Sequence, residues 1–138
     1  MAENEREETA SSGGGVDASL ARNGGLSYLE IPATDPRQSA VFYEKVVGWN
    51  VHGLDTAEPK FNDPSGYLIG RWVTGRAISR EPGLLPYIYV DHINDAVEQA
   101  RACGGEIVKA TYPEGDLLVA TVRDPAGNVI GHWQQGPG

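Results

Sequence analysis

A ten-position pattern occurs twice in this chain. Asp63-Pro64-Ser65-Gly66-Tyr67-Leu68-Ile69-Gly70-Arg71-Trp72 returns as Asp124-Pro125-Ala126-Gly127-Asn128-Val129-Ile130-Gly131-His132-Trp133. The shared pattern is D-P-x-G-x-x-I-G-x-W. A repeat of this kind means one folding unit used twice, and it restricts the architecture before propensities are considered. Each D-P-x-G reads as a type I turn, with Pro second and Gly fourth, closing a hairpin.

The duplication extends upstream, where Ile31 to Gly48 and Ile88 to Gly105 share a layout of strand end, helix and stop. In the first copy Leu29 and Ile31 alternate as in a strand. Asp35 can cap a helix with Pro36 at its favoured first position, and Val41, Phe42 and Val46 recur at helical spacing before Gly48. In the second copy Ile88 and Val90 end a strand, Asn94 is the expected cap, and Val97, Ala100 and Cys103 recur before Gly104-Gly105. Strand-like stretches follow each helix: Trp49–Leu54, Lys60–Asn62 and Tyr67–Val73, then Glu106–Ala110, Leu117–Arg123 and Asn128–Gln134. The expected fold is α+β, with two βαβββ units at 26–73 and 85–135 joined by a linker at 74–84. Together they form one domain over 26–136.

Residues 1–25 are acidic, then Gly/Ser-rich, and read as a disordered tail. They lack the basic-then-apolar order of a signal peptide. The chain has no apolar run of membrane-spanning length. Its one cysteine forbids an internal disulfide and suits the cytoplasm. The net charge is −8, of which five acids and two bases fall in the first 22 residues. An acidic domain argues against nucleic acid as a partner and leaves a small aromatic or cationic molecule as the candidate. There is no phosphate-binding glycine loop after a strand, and no nucleophile elbow.

The stretch Glu30-Ile31-Pro32-Ala33-Thr34-Asp35, with Phe42-Tyr43, Gly48-Trp49 and the turn Asp124-Pro125-Ala126-Gly127-Asn128, resembles the vicinal oxygen chelate superfamily. That superfamily includes glyoxalase I, extradiol dioxygenases and bleomycin-resistance proteins. The resemblance covers about residues 26–135. It implies two curved mixed sheets forming a cup, with the helices outside. In metal-dependent members it also implies a divalent metal held by side chains of the first and last strand of each unit. Carried onto this sequence, the four ligand positions are Tyr28, Gly70, Leu85 and Gly131. A set of two glycines, a leucine and a tyrosine offers no donor set for a divalent ion, so no metal and no cofactor are expected. A register slip of two would bring in Glu30 and Tyr87, and a slip of one would bring in His132 on the wrong face. His52 and His92 read as surface or turn residues, and Cys103 as a core residue.

Strand side chains alternate. If those four positions face the cup, its lining is Tyr28, Glu30, Leu68, Gly70, Trp72, Leu85, Tyr87, Tyr89, Val129, Gly131 and Trp133. Leu29, Ile31, Ile69, Ile88, Val90 and Ile130 then face the helices. The cup would be aromatic with one carboxylate. Glu30 has three readings: a general base whose pKa desolvation raises, a partner for a ligand cation, or half of an ion pair with Arg71 or Arg76.

The leading expectation is a metal-free small-molecule binding protein of the sequestration type, working as a homodimer. One alternative is a glyoxalase-like lyase, isomerase or dioxygenase using a displaced metal site or Glu30. The other is a non-catalytic interaction module whose aromatic residues close the cup.

Overall fold

The computed structural model of the protein describes residues 17–136. In chain order the elements are β1 (Tyr28–Pro32), α1 (Pro36–Val47), β2 (Asn50–His52), β3 (Lys60–Asn62), β4 (Ile69–Val73), β5 (Tyr87–Tyr89), α2 (Ile93–Ala102), β6 (Glu106–Glu114), β7 (Leu117–Arg123) and β8 (Val129–Gln135). This is βαβββ used twice. The first unit makes a sheet of order β1-β4-β3-β2 and the second a sheet of order β5-β8-β7-β6. In each sheet the first strand runs parallel to the last, and the other pairs are antiparallel. Both sheets are therefore mixed and open, and the fold is α+β.

Local signals account for most element ends. Asp35 caps α1 by accepting from the Gln38 amide at 3.2 Å, and Gly48 ends the helix in the left-handed region at φ 75°. The second helix starts earlier than its sequence suggests. His92, not Asn94, is the cap residue, and its side chain makes no capping bond. The amide of Ile93 is satisfied instead by Gln134 Oε1 of β8 at 2.8 Å, a long-range partner that no local pattern signals. The predicted strand at 106–110 continues to Glu114, where Gly115, at φ 59°, turns the chain into β7. Both D-P-x-G segments form β-turns, with Gly66 N donating to Asp63 O and Gly127 N to Asp124 O.

One core serves both units. It joins Phe42, Tyr43 and Val46 of α1, Trp49 just before β2, Phe61 and Trp72 of the first sheet, Val97 and Ala100 of α2, and Ala120, Val122 and Ile130 of the second sheet. The rings of Tyr43, Trp49 and Phe61 stack in sequence, with centroids 4.9 and 4.3 Å apart. The Tyr43 hydroxyl donates to Asp124 Oδ2 at 2.8 Å, tying α1 of the first unit to the turn of the second. The units thus pack on each other within a single chain.

Residues 1–16 of the expected tail lie outside the described residues. Residues 17–25 carry turns that dock on the first hairpin. Ser19 Oγ donates to Gly66 O at 2.9 Å, and the Arg22 guanidinium sits 4.2 Å from the centre of the Tyr67 ring.

The two copies of D-P-x-G-x-x-I-G-x-W do not close alike. Asp63 N bonds to Leu68 O, whereas Asp124 N bonds to Asn128 O. The first loop is one residue longer, so Asn62 pairs with Ile69 while Arg123 pairs with Val129. A one-residue shift turns every side chain of a strand to the other face. The repeated I-G-x-W therefore points in opposite directions in β4 and β8.

The two motif glycines consequently face different neighbours. A Cβ on Gly70 would overlap the Leu29 carbonyl oxygen and the Phe61 ring, which are backbone and packed core. A Cβ on Gly131 would overlap only the ring of Tyr87, which is about half exposed. Gly70→Ala is expected to cost about 2–3 kcal/mol, and Gly131→Ala under about 1 kcal/mol as Tyr87 swings aside. Urea unfolding of both variants checks this. Equal costs would mean that the two glycines share one environment.

Candidate functional site

The sheet faces turned away from the helices supply the candidate site. In the first unit, pairing places Tyr28 with Ile69, and Glu30 with Arg71 and through it Lys60. These residues face the open side. Gly70 and Trp72 face the helices: Trp72 is fully buried, its ring centre 5.8 Å from that of Tyr43, and Leu68 packs against the same core. The expected facing of Leu68, Gly70 and Trp72 is thus reversed, and so is that of Ile69. The cause is the extra loop residue before β4. Tyr28 and Glu30 face as expected.

In the second unit the expected register holds. Tyr87 pairs with Gly131 and Tyr89 with Trp133, and these four face the open side together with Val129. Ile130 and His132 are buried on the helix side. The rings of Tyr89 and Trp133 meet edge to face at 4.7 Å. Tyr28, Tyr87 and Tyr89 keep about half of their surface exposed, so this aromatic wall is open. Leu85 lies in the segment before β5 and is half-buried.

The two halves of the face differ in chemistry. The second is aromatic. The first is charged, with Glu30 at its centre. Arg71 donates to Glu30 Oε2 from Nε at 3.3 Å and Nη2 at 3.0 Å, and Arg76 Nη2 donates to Oε1 at 2.6 Å. A further bond runs from Arg71 Nη1 to Glu58 Oε1 at 3.0 Å. The hydrogen bond from Arg71, with the charges of Arg71 and Arg76, holds the Glu30 carboxyl below its usual range against the opposing effect of desolvation. The same bond raises Arg71. Desolvation raises the Tyr28 hydroxyl, and the nearby Arg71 charge partly offsets this. Of the three readings of Glu30, the ion pair is the one the geometry supports. The Glu30 pKa is lowered rather than raised, and both carboxylate oxygens are engaged by guanidiniums.

A divalent metal does not fit these residues. Glu30 is taken by two guanidiniums, the facing position on β4 is itself a cation, and the corresponding pair in the second unit is Tyr87 and Gly131. Among the described residues, no three His, Cys or carboxylate side chains gather to hold an ion. His52 lies on the exposed strand β2 with its Nε2 against Asn62 Oδ1 at 2.5 Å, and His92 precedes α2. Cys103 is partly buried against the core.

Two cavities meet at Glu30. One, of about 500 Å³, lies between Glu30, Glu58 and Arg71 and the segment Val73–Arg76. The other, of about 180 Å³, is a slot between β1, the segment around Leu84 and Pro86, and the start of β8. No pattern along the chain signals the second, because it forms where the two units abut. Arg71 and Arg76 were legible only as partners for Glu30.

Residues 28–131 match the glyoxalase-like domain family. The chain belongs to that family. Among solved structures, a glyoxalase/bleomycin resistance protein from Albidiferax ferrireducens T118 aligns at TM-score 0.66 and 18% identity, covering 80% of this chain and 98% of that one. A glyoxalase/bleomycin resistance protein/dioxygenase family enzyme from Burkholderia phytofirmans PsJN aligns at 0.64 and 20%, covering 81% and 99%. TnmS3, an antibiotic binding protein from Streptomyces sp. CB03234, aligns at 0.61 and 18%, covering 82% and 97%. At these identities the likeness is one of fold. Comparison with curated protein sequences returns no match. No helix among the described residues is long and apolar enough to cross a membrane.

Proposed function

We propose that this glyoxalase-like protein binds a small aromatic molecule without transforming it. The observation that carries the reading is the open face itself, with half-exposed Tyr28, Tyr87 and Tyr89 and with Trp133; a separate cavity of about 500 Å³ lies at Glu30 and Arg71. Exposed tyrosines on a rigid sheet give a flat ligand stacking area at little entropic cost, and their hydroxyls orient it. The existence of a cavity at Glu30 argues against a closed interaction module. The similarity in fold to an antibiotic binding protein supports a ligand of natural-product size. The open aromatic wall favours a homodimer in which a second copy completes the cup around the ligand, and the single unpaired cysteine suits the cytoplasm.

Thermal unfolding with a panel of aromatic antibiotics tests this. A binder present at one hundred times its Kd stabilises by about 2.7 kcal/mol. The compound should be recovered unchanged, and Trp133→Ala should reduce the shift. Consumption of the compound would instead favour the lyase, isomerase or dioxygenase alternative. In that case a Glu30→Gln variant that binds but no longer turns over would assign the chemistry to Glu30, and a stoichiometric metal on elemental analysis would assign it to a displaced metal site.

A further inference from the structure

The charged cavity and the apolar slot are separate spaces that share one residue. Glu30 lines both. On one side lie Arg71, Arg76 and Thr74. On the other lie Ile31 and Pro32 of β1, Leu84 and Pro86 ahead of β5, and Val129 of β8. A ligand occupying both must be polar at one end and apolar at the other.

The local charge decides the sign of the polar end. The chain as a whole is acidic, at −8. In the charged cavity the balance is even, with Arg71 and Arg76 against Glu30 and Glu58, and Lys60 adds a positive charge on the same sheet face. Arg71 is committed, with Nε, Nη1 and Nη2 all bonded to the two carboxylates. Arg76 is not. It gives one Nη2 bond to Glu30, and its side chain is 59% exposed. Its position follows from the backbone: Gly75, at φ 88°, turns the chain back directly after β4, so that Arg76 reaches over the β1–β4 pair. A guanidinium carries five donors in a planar fork suited to an oxyanion.

We infer that this protein takes an amphipathic organic anion, with its apolar body in the slot between β1 and β8 and its acidic group on Arg76. Glu30 then acts as a tethered stand-in for the ligand's acid. It occupies the arginines in the free protein and shares Arg76 when the ligand arrives. A cationic ligand is disfavoured for the same reason, since it would have to take Glu30 from two guanidiniums. This inference rests on the small-molecule binding reading above and names the chemical class of that ligand.

Paired fluorescent probes test it. Anilinonaphthalene sulfonate carries the acid, and N-phenylnaphthylamine is its neutral counterpart. At low salt the sulfonate should bind about tenfold tighter than the amine, as one charge-assisted guanidinium pair provides. Arg76→Gln should erase that preference and leave amine binding unchanged. Glu30→Gln should tighten the sulfonate several-fold by releasing both arginines, a gain that a purely structural role for Glu30 does not produce. Equal binding of the two probes, a preference that survives Arg76→Gln, or weaker sulfonate binding by Glu30→Gln would each overturn the anion assignment while leaving small-molecule binding in place. Failure of both probes to bind would overturn the inference and the binding reading together.

Discussion

Asp124→Ala is expected to cost about 3–5 kcal/mol of folding stability, against about 1 kcal/mol for Asp63→Ala at the equivalent turn. The two aspartates hold the same place in the repeat and do different amounts of structural work. Asp124 is 2% exposed. Its Oδ1 accepts from the amides of Ala126, Gly127 and Asn128 at 3.0, 3.0 and 2.9 Å. Its Oδ2 accepts from the Tyr43 hydroxyl and from Asn128 Nδ2, each at 2.8 Å. Removing the carboxylate leaves the Tyr43 hydroxyl and the amides of Ala126 and Asn128 without a partner, while Gly127 N keeps Asp124 O and Asn128 Nδ2 keeps Pro32 O. Burial and the Asp124 charge push the Tyr43 hydroxyl pKa well above its usual value. Asn128 extends the network by donating to Pro32 O at 2.7 Å and accepting from Ser79 N at 2.8 Å, so the turn holds α1, β1 and the linker at once. Asp63 closes only its own loop, accepting from Gly66 N, Leu68 N and the Ser65 hydroxyl at a partly exposed site. Urea unfolding of the two variants compares them directly. Similar costs would mean that the inter-unit junction does not depend on this carboxylate.

That junction also explains what could and could not be read from the sequence. Turns, the α1 cap and the helix stops are decided within a few residues, and the repeat made the βαβββ units legible through them. The face of β4 was not legible, because the two D-P-x-G segments look alike until position five. There the second copy has Asn128, which is pinned from three sides and closes the loop at once. The first copy has Tyr67, whose ring lies outside under Arg22, and the chain closes one residue later at Leu68. The difference follows from contacts with the other unit and with the N-terminal segment, and a window along one strand contains neither. The same limit applies to the site. Tyr28, Glu30, Tyr87, Tyr89 and Trp133 could be placed by alternation, but the pairing of Glu30 with Arg76 depends on a turn at Gly75 that brings a linker residue back over a strand.

His132 should make the protein lose about 2 kcal/mol of stability between pH 7.5 and pH 5, and about 3 kcal/mol in total at lower pH. It stands on β8 where Trp72 stands on β4, facing the helices, with 1% of its surface exposed. Its Nδ1 has no hydrogen-bond partner among the described residues. Burial disfavours the imidazolium and lowers its pKa from 6.5 to about 4. The sign follows from which state takes up the proton. Above pH 6.5 the ring is neutral in both the folded and unfolded chain, and the full stability is present. As pH falls from 6.5 towards 4 the unfolded chain protonates and the folded chain does not, so the equilibrium shifts towards unfolding. Below 4 both are charged and this contribution levels off. Carboxylates add their own slope at acid pH, so the test is a difference. In His132→Leu the ring is replaced by an apolar side chain that needs no partner, and the variant should match or exceed the parent at pH 7.5. Its advantage should grow by about 2 kcal/mol at pH 5. Parallel curves for the two proteins across that range would mean that His132 titrates alike in the folded and unfolded states, and that the core around it admits water.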